Sequence, residues 1–360
     1  MGKQMIIPFG PQHPVLPEPL HLDLVLEDEK VVQAIPSLGF IHRGLERLAE
    51  KKDFNDMTYV AERICGICSA IHGQSYVTTV EALMGIEVPE RANWLRMFWG
   101  EISRIHSHVL WLGLFADGFG FESLFMHSWR IRERVLDIVE ETTGGRVIFG
   151  VCKVGGVRRD VLDDDLKRIG VELQDIEKEL RGLCQVFEKD SSVKKRLAGI
   201  GPLSREQAAT LGAVGPVLRA SGIVSDARKL GYAAYNQVQW DVITENSCDC
   251  YGRCMVRVRE IWESFRIIRQ VIEKIPAGPI EVKVTTLPPK GEYFGRFEQP
   301  RGEVIYYIKG NGTKNLERFR VRTPTFANVP ALVTMLQGCD LSSVPVIALC
   351  IDPCISCCER

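Results

Sequence analysis

Two stretches near opposite ends of the sequence carry matched cysteine pairs. Residues 63–72 read RICGICSAIH, and residues 352–360 read DPCISCCER. Each stretch contains a Cys-x-x-Cys pair, and 289 residues separate the first cysteine of one pair from that of the other. Thiolates from two such turns can converge on one soft metal centre. The sequence therefore predicts a fold that joins the two ends of the chain at a shared metal site, with ligands Cys65, Cys68, Cys354 and Cys357.

The spacing of the cysteines is compatible with more than one kind of metal site. Paired Cys-x-x-Cys motifs often bind structural zinc, but zinc ribbons join their two halves over short loops. An iron–sulfur cluster agrees with the number of ligands. A thioredoxin-like redox pair would account for one motif only. Ordinary buried cysteines are a poor explanation for two matched pairs.

The local sequence predicts how each pair is presented. On a helix, Cys65, Cys68 and His72 follow one another at i, i+3 and i+7 and share one face. In the second stretch, Pro353 suits the first turn of a short helix, which Asp352 can cap. The N-terminus of a helix stabilises a thiolate over a thiol, so this arrangement favours metal ligation.

The composition argues against several classes of protein. The 360 residues include 45 basic and 46 acidic side chains, and this balance argues against a nucleic-acid partner. No apolar stretch approaches the ~20 residues of a membrane span, and the N-terminus lacks the pattern of a signal peptide. Twelve cysteines in such a chain indicate reduced thiols and metal ligation rather than disulfide bonds.

Proline placement and hydrophobic periodicity predict the fold class. Only Pro89, Pro202 and Pro216 lie between residues 37 and 275, so this stretch permits long helices. Near the N-terminus, HLDLVLED alternates apolar and polar residues as a strand does, and a later Gly-Asn-Gly favours a hairpin turn. We predict one integrated α+β domain, predominantly α, over residues 1–360. It comprises a β-rich part at 1–50, a long-helix body at 51–275, and a β-hairpin and metal-binding part at 276–360.

Apolar residues at helical spacing indicate which faces of the long helices are buried. Every third or fourth residue from Leu162 to Phe187 is apolar, a seam typical of an internal contact between near-parallel helices. Val258 and Phe265 belong to another buried stripe. We expect the arginines on the opposite side of that helix to face solvent or a partner: Arg257, Arg259, Arg266 and Arg269.

Taken together, the motifs resemble a known family along nearly the whole chain. The two cysteine motifs and His72 resemble those of the large subunit of [NiFe] hydrogenases. The variants are similar to those of the energy-converting, membrane-bound branch, the Ech type, which shares ancestry with the quinone-site subunit of respiratory complex I. Further matching segments follow in the family's order: GPQHP, LGFIHRGLE, DCYGRCMVRVRE, QPRGE and RVRTPTF.

The resemblance implies a nickel–iron centre that cleaves H2 heterolytically, or reduces protons in the reverse direction. Cys65 and Cys354 would be terminal nickel ligands. Cys68 and Cys357 would bridge nickel to an iron that carries CO and cyanide. Soft thiolates favour both metals, and a thiolate has the lone pairs to bridge them.

The resemblance also implies roles for residues around the metals. Arg301 and Asp352 would lie over the open metal position, and Glu18 would be the glutamate that passes protons near a terminal cysteine. His72 would donate to a bridging cysteine sulfur, and Arg63 would pair with acids near the site.

Two departures from other branches bear on the site. Glu46 matches a carboxylate that elsewhere helps bind a structural divalent ion such as Mg²⁺, but Arg360 replaces the usual terminal histidine, so a Glu46–Arg360 ion pair can substitute for that ion. Ser107 stands between His106 and His108, where other branches carry an aspartate. Family precursors often lose a tail just beyond the position of Arg360 during metal insertion.

The partners follow from the same resemblance. They are a small hydrogenase subunit with an Fe–S cluster, a ferredoxin-type Fe–S subunit, ferredoxin itself, and integral membrane subunits that translocate ions. The chain would lie in the cytoplasm, peripheral on the membrane face. Two rival interpretations are a complex I-like quinone-site subunit without metal and a structural zinc protein. A further cluster is predicted to consist of buried or partner-facing thiols: Cys248, Cys250 and Cys254.

Overall fold

The N-terminal part forms a small antiparallel sheet. The computed structural model describes residues 4–284 and 290–360. Strands β1 (Met5–Phe9), β2 (His21–Glu27) and β3 (Lys30–Ser37) pair in that order. The alternation in β2 is as predicted, because Leu22, Leu24 and Leu26 are buried while the residues between them are not.

Long helices form the body of the molecule, as predicted. The structure is α+β and predominantly helical, which confirms the predicted fold class. A two-stranded ribbon, β4 (Cys152–Lys153) and β5 (Gly156–Val157), interrupts the helices. The helices of this part are α1 (Leu45–Ala49), α2 (Met57–Glu62), α3 (Ser69–Met84), α4 (Glu90–Gly118), α5 (Glu122–Thr143), α6 (Asp163–Lys189), α7 (Ser191–Leu197), α8 (Arg205–Thr210), α9 (Gly215–Arg219) and α10 (Cys250–Lys274), with a 3₁₀ turn at Ala227–Leu230.

The C-terminal part contains a three-stranded sheet and further helices. Strands β6 (Lys290–Gln299), β7 (Gly302–Asn311) and β8 (Leu316–Arg322) pair antiparallel in sequence order, so the predicted hairpin turn joins β7 to β8. Helices α11 (Pro324–Leu336), α12 (Val344–Cys350) and α13 (Ile355–Cys358) follow, with a 3₁₀ turn at Leu341–Ser343. The number of prolines in this part did not predict these helices. Pro324 and Pro345 occupy first turns, where a missing N–H costs nothing, whereas Pro330 lies inside α11.

Helix α4 is the centre of the core. Nearly every residue from Arg91 to Ala116 is buried, since α5, α10 and α12 all pack against this helix. The predicted seam of α6 is buried from Leu166 to Phe187, where α6 packs on α5 and α10. Leu162 is the exception and is exposed, because it lies at the N-cap, before the first turn.

One of the four arginines predicted on the outer side of α10 is buried instead. Arg257 is fully buried, and its guanidinium lies 4.1 Å from the centre of the Trp111 ring. The prediction was wrong for this residue because α4 and α12 cover that side of α10 near its start. Further along, the side chains of Arg259, Arg266 and Arg269 reach solvent and pair with carboxylates.

Backbone hydrogen bonds join the two ends of the chain. The Val31 amide in β3 donates to the Cys339 carbonyl at 2.9 Å, and the Gly338 amide donates back to Val31 at 2.7 Å. Strand β3 therefore packs beside α11, and the C-terminal cysteine stretch lies next to the N-terminal part. Within the described ranges, none of the helices combines the length and apolar composition that crossing a bilayer requires.

Candidate metal centre

The first cysteine pair lies in the turn between α2 and α3. Cys68 is the N-cap residue of α3, and only His72 lies on that helix. The prediction that one helix presents all three residues was therefore wrong. The turn leaves backbone amides free to face sulfur: those of Ile67 and Cys68 lie 3.3 and 3.5 Å from the Sγ of Cys65. A continuous helix would have used these amides in its own hydrogen bonds.

The second pair lies between α12 and α13. Asp352 adopts a left-handed φ of 56°, which turns the chain so that Cys354 becomes the N-cap residue of α13. The expected capping role of Asp352 is wrong, because its side chain points to Arg301. Glu18 takes that role instead: its Oε2 accepts hydrogen bonds from the amides of Ile355 and Ser356, the latter at 3.0 Å.

The two turns bring the four cysteines together. The Sγ atoms of Cys65 and Cys354 are 3.3 Å apart, and those of Cys68 and Cys357 are 3.6 Å apart. The sulfur atoms of Cys65, Cys68 and Cys357 all lie within 4.8 Å of one another, and all four cysteines are buried. A compact, buried set of soft sulfur donors fits nickel and iron as well as zinc.

Residues outside the cysteine motifs hold the two turns against each other. The guanidinium of Arg43 donates to the carbonyls of Ile64 at 2.8 Å and Ser356 at 2.9 Å, so one side chain joins both turns. On the other side, the hydroxyl of Thr325 accepts from the Cys354 amide, and that of Thr323 donates to the Cys357 carbonyl. Sequence reasoning did not assign these roles, although Arg43, Thr323 and Thr325 belong to quoted motifs.

The electrostatics of the sulfur cluster favour a bound cation. Hydrogen bonds from the neighbouring cysteines hold the pKa of Cys65 well below its usual value. Burial raises the pKa values of Cys68 and Cys357 well above theirs. Four thiolates therefore exist together only when positive charge is added among them, as a metal ion would do.

His72 contacts the cluster from α3. Its Nε2 lies 3.3 Å from the Sγ of Cys357, and its Nδ1 lies 2.6 Å from the hydroxyl of Tyr306 on β7. Burial lowers the pKa of His72 to about 4, so the ring is neutral near neutral pH. Nothing in the sequence pointed to Tyr306, which resembles an ordinary strand residue.

Arg301 and Asp352 form a buried ion pair beside the cysteines. Nη2 of Arg301 lies 2.8 Å from Oδ1 of Asp352, and its Nε donates to the Asp352 carbonyl at 3.0 Å. Its Nη1 donates to the Ser107 hydroxyl at 3.4 Å, so the serine that distinguishes this chain contacts the predicted arginine. Oδ2 of Asp352 is buried without a hydrogen-bond partner among the described residues, and burial raises the pKa of this carboxyl.

A largely apolar cavity lies beside the cluster. It has a volume of about 300 Å³, and Glu18, Arg301, Asp352 and Cys354 contribute to its lining. The remaining walls include Ile67, Leu110, Leu114 and Trp129. The structure thus places three predicted catalytic residues around the same space as one predicted metal ligand.

The predictions for the Glu46–Arg360 ion pair and for Arg63 have different outcomes. Nε of Arg360 donates to Glu46 at 3.1 Å, and Arg320 and the Val321 amide also contact this carboxylate, so the predicted ion pair is present. The side chain of Arg63 is exposed and donates to the Tyr59 carbonyl, and no acid pairs with it within residues 4–284 and 290–360. The contribution of Arg63 to the site is its carbonyl, which accepts from Arg43 at 3.0 Å.

Comparison with protein families agrees with this geometry. A family described as "Respiratory-chain NADH dehydrogenase, 49 Kd subunit" matches residues 118–360, and one described as "Nickel-dependent hydrogenase" matches residues 43–114. The chain belongs to the family that contains the 49 kDa subunits of respiratory NADH dehydrogenase and the large subunits of membrane-bound nickel-dependent hydrogenases. The resemblance seen in the sequence motifs is thereby confirmed.

The individual relatives include a hydrogenase, a formate hydrogenlyase subunit and a chain of a respiratory membrane complex. The chain is 37% identical to the carbon monoxide-induced hydrogenase of Rhodospirillum rubrum, over 98% of this chain and 99% of that protein. It is also 37% identical to formate hydrogenlyase subunit 5 of Escherichia coli, over 99% of this chain. The match covers only 63% of that protein. Among solved structures, a chain of the membrane-bound sulfane sulfur reductase superposes on this chain with a TM-score of 0.94. That assembly is described as an archaeal respiratory membrane complex. The two chains are 30% identical, over 99% of this chain and 98% of that one.

Proposed function

We propose that this chain is the catalytic subunit of a [NiFe] hydrogenase that cleaves H2 heterolytically and reversibly. The observation that carries the proposal is the convergence of Cys65, Cys68, Cys354 and Cys357 at one buried point. A quinone pocket has no use for four sulfur ligands, and a structural zinc site explains neither the ion pair nor the cavity beside them.

The four cysteines would hold the metals together. By the resemblance, Cys65 and Cys354 would hold nickel, and Cys68 and Cys357 would hold both nickel and iron. When bound, a nickel–iron centre whose iron carries CO and cyanide supplies a redox-active Lewis acid for H2. Burial of all four cysteines keeps water from competing for the metals.

Arg301 and Asp352 orient each other over this centre. The two contacts between them keep the guanidinium from rotating, and the bond to Ser107 adds a third anchor. The mainly apolar walls of the adjacent cavity suit a small apolar molecule such as H2. The fixed charge of Arg301 then polarises a molecule that enters this space.

Glu18 would carry a proton away from the centre. Its carboxylate lines the cavity with Cys354 and is held against α13 by the Ile355 and Ser356 amides. A carboxylate fixed in this way returns to the same position after each transfer. His72, neutral at working pH, donates its Nε2 hydrogen to the sulfur of Cys357 while Nδ1 accepts from Tyr306, because a thiolate can only accept.

Electrons and ions would be handled by partner subunits. We infer a small subunit with an Fe–S cluster, a ferredoxin-type Fe–S subunit, ferredoxin, and integral membrane subunits that translocate ions. The chain would be bound peripherally on the cytoplasmic face of the membrane. In support, one relative is named membrane-bound hydrogenase subunit alpha, from Pyrococcus furiosus, at 36% identity over 98% of this chain and 87% of that protein.

A complex I-like electron-transfer role is the second candidate, favoured by the match of residues 118–360 to the 49 kDa subunit.

Metal analysis with infrared spectroscopy of the purified complex separates the candidates. We expect nickel and iron in the complex, with infrared bands of CO and cyanide. A fully matured complex without nickel and without these bands contradicts the hydrogenase proposal. Zinc without hydrogen-dependent dye reduction supports the structural zinc protein instead.

A further inference from the structure

The turn that carries Arg301 is held by an arginine on the central helix α4. Arg104 donates from Nη2 to the Glu298 carbonyl at 3.0 Å and from Nη1 to the Gln299 carbonyl at 3.2 Å. These are the last two residues of β6, and Arg301 lies two residues beyond Gln299. One planar guanidinium therefore binds the backbone immediately before Arg301, with both donors in a fixed geometry.

The same face of α4 also contacts the side chain of Arg301. Ser107, three residues after Arg104, accepts from Nη1 of Arg301 at 3.4 Å. Residues three apart on a helix lie on the same side of it. Helix α4 therefore contacts the turn twice, at its backbone through Arg104 and at its side chain through Ser107.

Arg104 is itself fixed by a buried carboxylate. Its Nε lies 3.4 Å from Oε2 of Glu101, and both side chains are fully buried. Oε1 of Glu101 accepts from the Tyr235 hydroxyl at 2.6 Å, and Oε2 accepts from the Ser264 hydroxyl at 2.6 Å. Arg228 adds an ion pair at 3.1 Å. Because both oxygens are occupied from several sides, the carboxylate keeps the guanidinium of Arg104 in one orientation.

The side chain of Glu298 is anchored separately from its carbonyl. Its Oε1 accepts from Nη1 of Arg219 at 2.7 Å, and its Oε2 accepts from the Ala227 amide at 3.0 Å. Glu298 and Gln299 are both buried, so a carbonyl that lost Arg104 would have no bulk water to replace it.

Helix α9 closes the opposite side of the turn by direct backbone contact. A Cβ added to Gly302 would lie 2.8 Å from the Cα of Gly215, and one added to Gly215 would lie 2.4 Å from the Arg301 carbonyl oxygen. Only glycine fits at either position. The turn therefore has no room to move toward α9, and the polar contacts with α4 set its remaining freedom.

We propose that Arg104 is a positioning residue that sets the orientation of Arg301 by fixing the backbone of the β6–β7 turn. Arg301 contacts Asp352 through two nitrogens, so a displacement of the turn by about 1 Å disturbs both contacts. Arg104 is not among the residues that line the cavity, so it acts through the turn alone. The proposal rests on the proposed function, in which Arg301 polarises a molecule in that cavity.

The test compares Arg104→Lys with Arg96→Lys in the metal-loaded complex. Arg96 is a matched control, because it is a buried arginine of α4 that pairs with Glu81 and donates to two backbone carbonyls of a different ribbon. Those carbonyls belong to Lys153, at 3.1 Å, and Gly156, at 2.8 Å. In each variant the lysine keeps the charge but lacks the fork that binds a carboxylate and two carbonyls together.

Hydrogen exchange followed by mass spectrometry reports on the turn without using the bound metal or turnover. In Arg104→Lys we expect peptides that contain residues 298–303 to exchange roughly tenfold faster, while peptides of the β4–β5 ribbon exchange as before. Arg96→Lys should show the reverse pattern.

A double-substitution cycle shows whether Arg104 acts through Arg301. Arg104→Lys should lower the turnover of hydrogen-dependent dye reduction on the order of tenfold at unchanged nickel content, whereas Arg96→Lys should keep it. Adding Arg104→Lys to Arg301→Lys should cause no further loss, because the side chain to be positioned is already gone. Losses that multiply in the double variant would show that Arg104 acts independently of Arg301 and would overturn the proposal.

Unchanged exchange at residues 298–303 in Arg104→Lys also overturns it. If Arg104→Lys does not assemble, Arg104→Gln, which keeps one amide donor for the carbonyls, undergoes the same two measurements with the same expected results. A complete complex that contains no nickel and reduces no dye with hydrogen removes the proposed function alone. Exchange at residues 298–303 then still decides whether Arg104 holds the turn.

Discussion

The sulfur atoms of Cys65 and Cys354 lie 3.3 Å apart, although 289 residues separate them in the sequence. The turn with Cys65 joins α2 to α3 in the helical body, and the turn with Cys354 joins α12 to α13 near the C-terminus. The contact therefore reports the docking of the C-terminal helices on the helical body. Any ion bound between these atoms ties the two ends of the chain together.

Replacing Cys354 by serine should abolish nickel binding. A serine hydroxyl stays protonated near neutral pH and is a harder donor than a thiolate, so it does not replace sulfur as a nickel ligand. Nickel per chain, measured by plasma mass spectrometry, should fall to background. Cys358→Ser is the matched control: Cys358 is also buried but does not belong to the sulfur cluster, so nickel should be retained. Equal loss in both variants would show a general folding defect.

Replacing Arg301 by lysine should slow hydrogen-dependent dye reduction while metal content stays the same. Lysine keeps the charge but cannot contact Asp352 and Ser107 through three separate nitrogens. We expect a loss on the order of a hundredfold in turnover. Arg296→Lys, on strand β6 just before the turn that holds Arg301 and paired with Glu303, is the control and should keep full activity. Unchanged turnover in Arg301→Lys would remove this residue from the reaction.

Replacing Glu18 by glutamine should slow proton transfer while leaving the structure of α13 unchanged. The glutamine oxygen still accepts from the Ile355 and Ser356 amides, so α13 stays capped, but an amide does not carry the proton. Isotope exchange between H2 and water should fall by roughly a hundredfold, with nickel content unchanged. Retention of full exchange would mean that protons leave the centre by another route.

Replacing Glu62 by glutamine should change how stability depends on pH. Burial raises the pKa of Glu62 to about 7 from its ordinary 4.5, against the opposing charges of Arg158 and Arg63. The folded state thus prefers the neutral acid, and this contribution is lost as pH rises from 4.5 through 7. Between about pH 5 and pH 8 the unaltered chain should lose about 2 kcal/mol more unfolding free energy than Glu62→Gln.

Urea unfolding at both pH values measures this difference. Glu273→Gln, an exposed acid on α10, serves as the control and should follow the unaltered chain at both pH values. Parallel pH profiles for Glu62→Gln and the unaltered chain would mean that Glu62 ionises in the folded state as it does in water.

Replacing Glu46 by glutamine should destabilise the C-terminus without changing its response to magnesium. The carboxylate already accepts from Arg320, Arg360 and the Val321 amide, so both oxygens are engaged and two guanidiniums balance its charge in place of a cation. The side chains are partly exposed, and we expect a loss of about 1 kcal/mol. Thermal unfolding with magnesium and with a chelator measures both effects. Stabilisation of the unaltered chain by magnesium that disappears in Glu46→Gln would contradict the ion-pair assignment.

Local pattern was enough to predict part of this site. Metal ligation depends on the chemistry of the donor, so two Cys-x-x-Cys pairs were enough to select Cys65, Cys68, Cys354 and Cys357 as candidate ligands, and the fold gathers these four cysteines. His72 contacts the sulfur of Cys357 for a related reason, because it lies one turn beyond Cys68 and a helix fixes the direction of its ring. Periodicity predicted the fold class, since burial of one face repeats with the helix or strand.

The predictions were wrong where a tertiary contact overrode the structure that the local sequence favours. Asp352 and Pro353 form a plausible cap in sequence, but the ion pair with Arg301 draws the aspartate away and Glu18 replaces it. Arg257 appeared on the polar side of a stripe, yet α4 covers it. Sequence periodicity describes a helix alone and does not state which neighbour will cover it.

The sequence by itself identified the four cysteines that the fold gathers, the fold class and the need for both cysteine stretches to meet, because these follow from donor chemistry and periodicity. Only the tertiary structure decided that Arg43 joins the two turns and that Glu18 caps α13. Each of these arrangements brings together segments that are far apart in the chain. Their geometry is set by the packing of whole helices and strands, which no local stretch encodes.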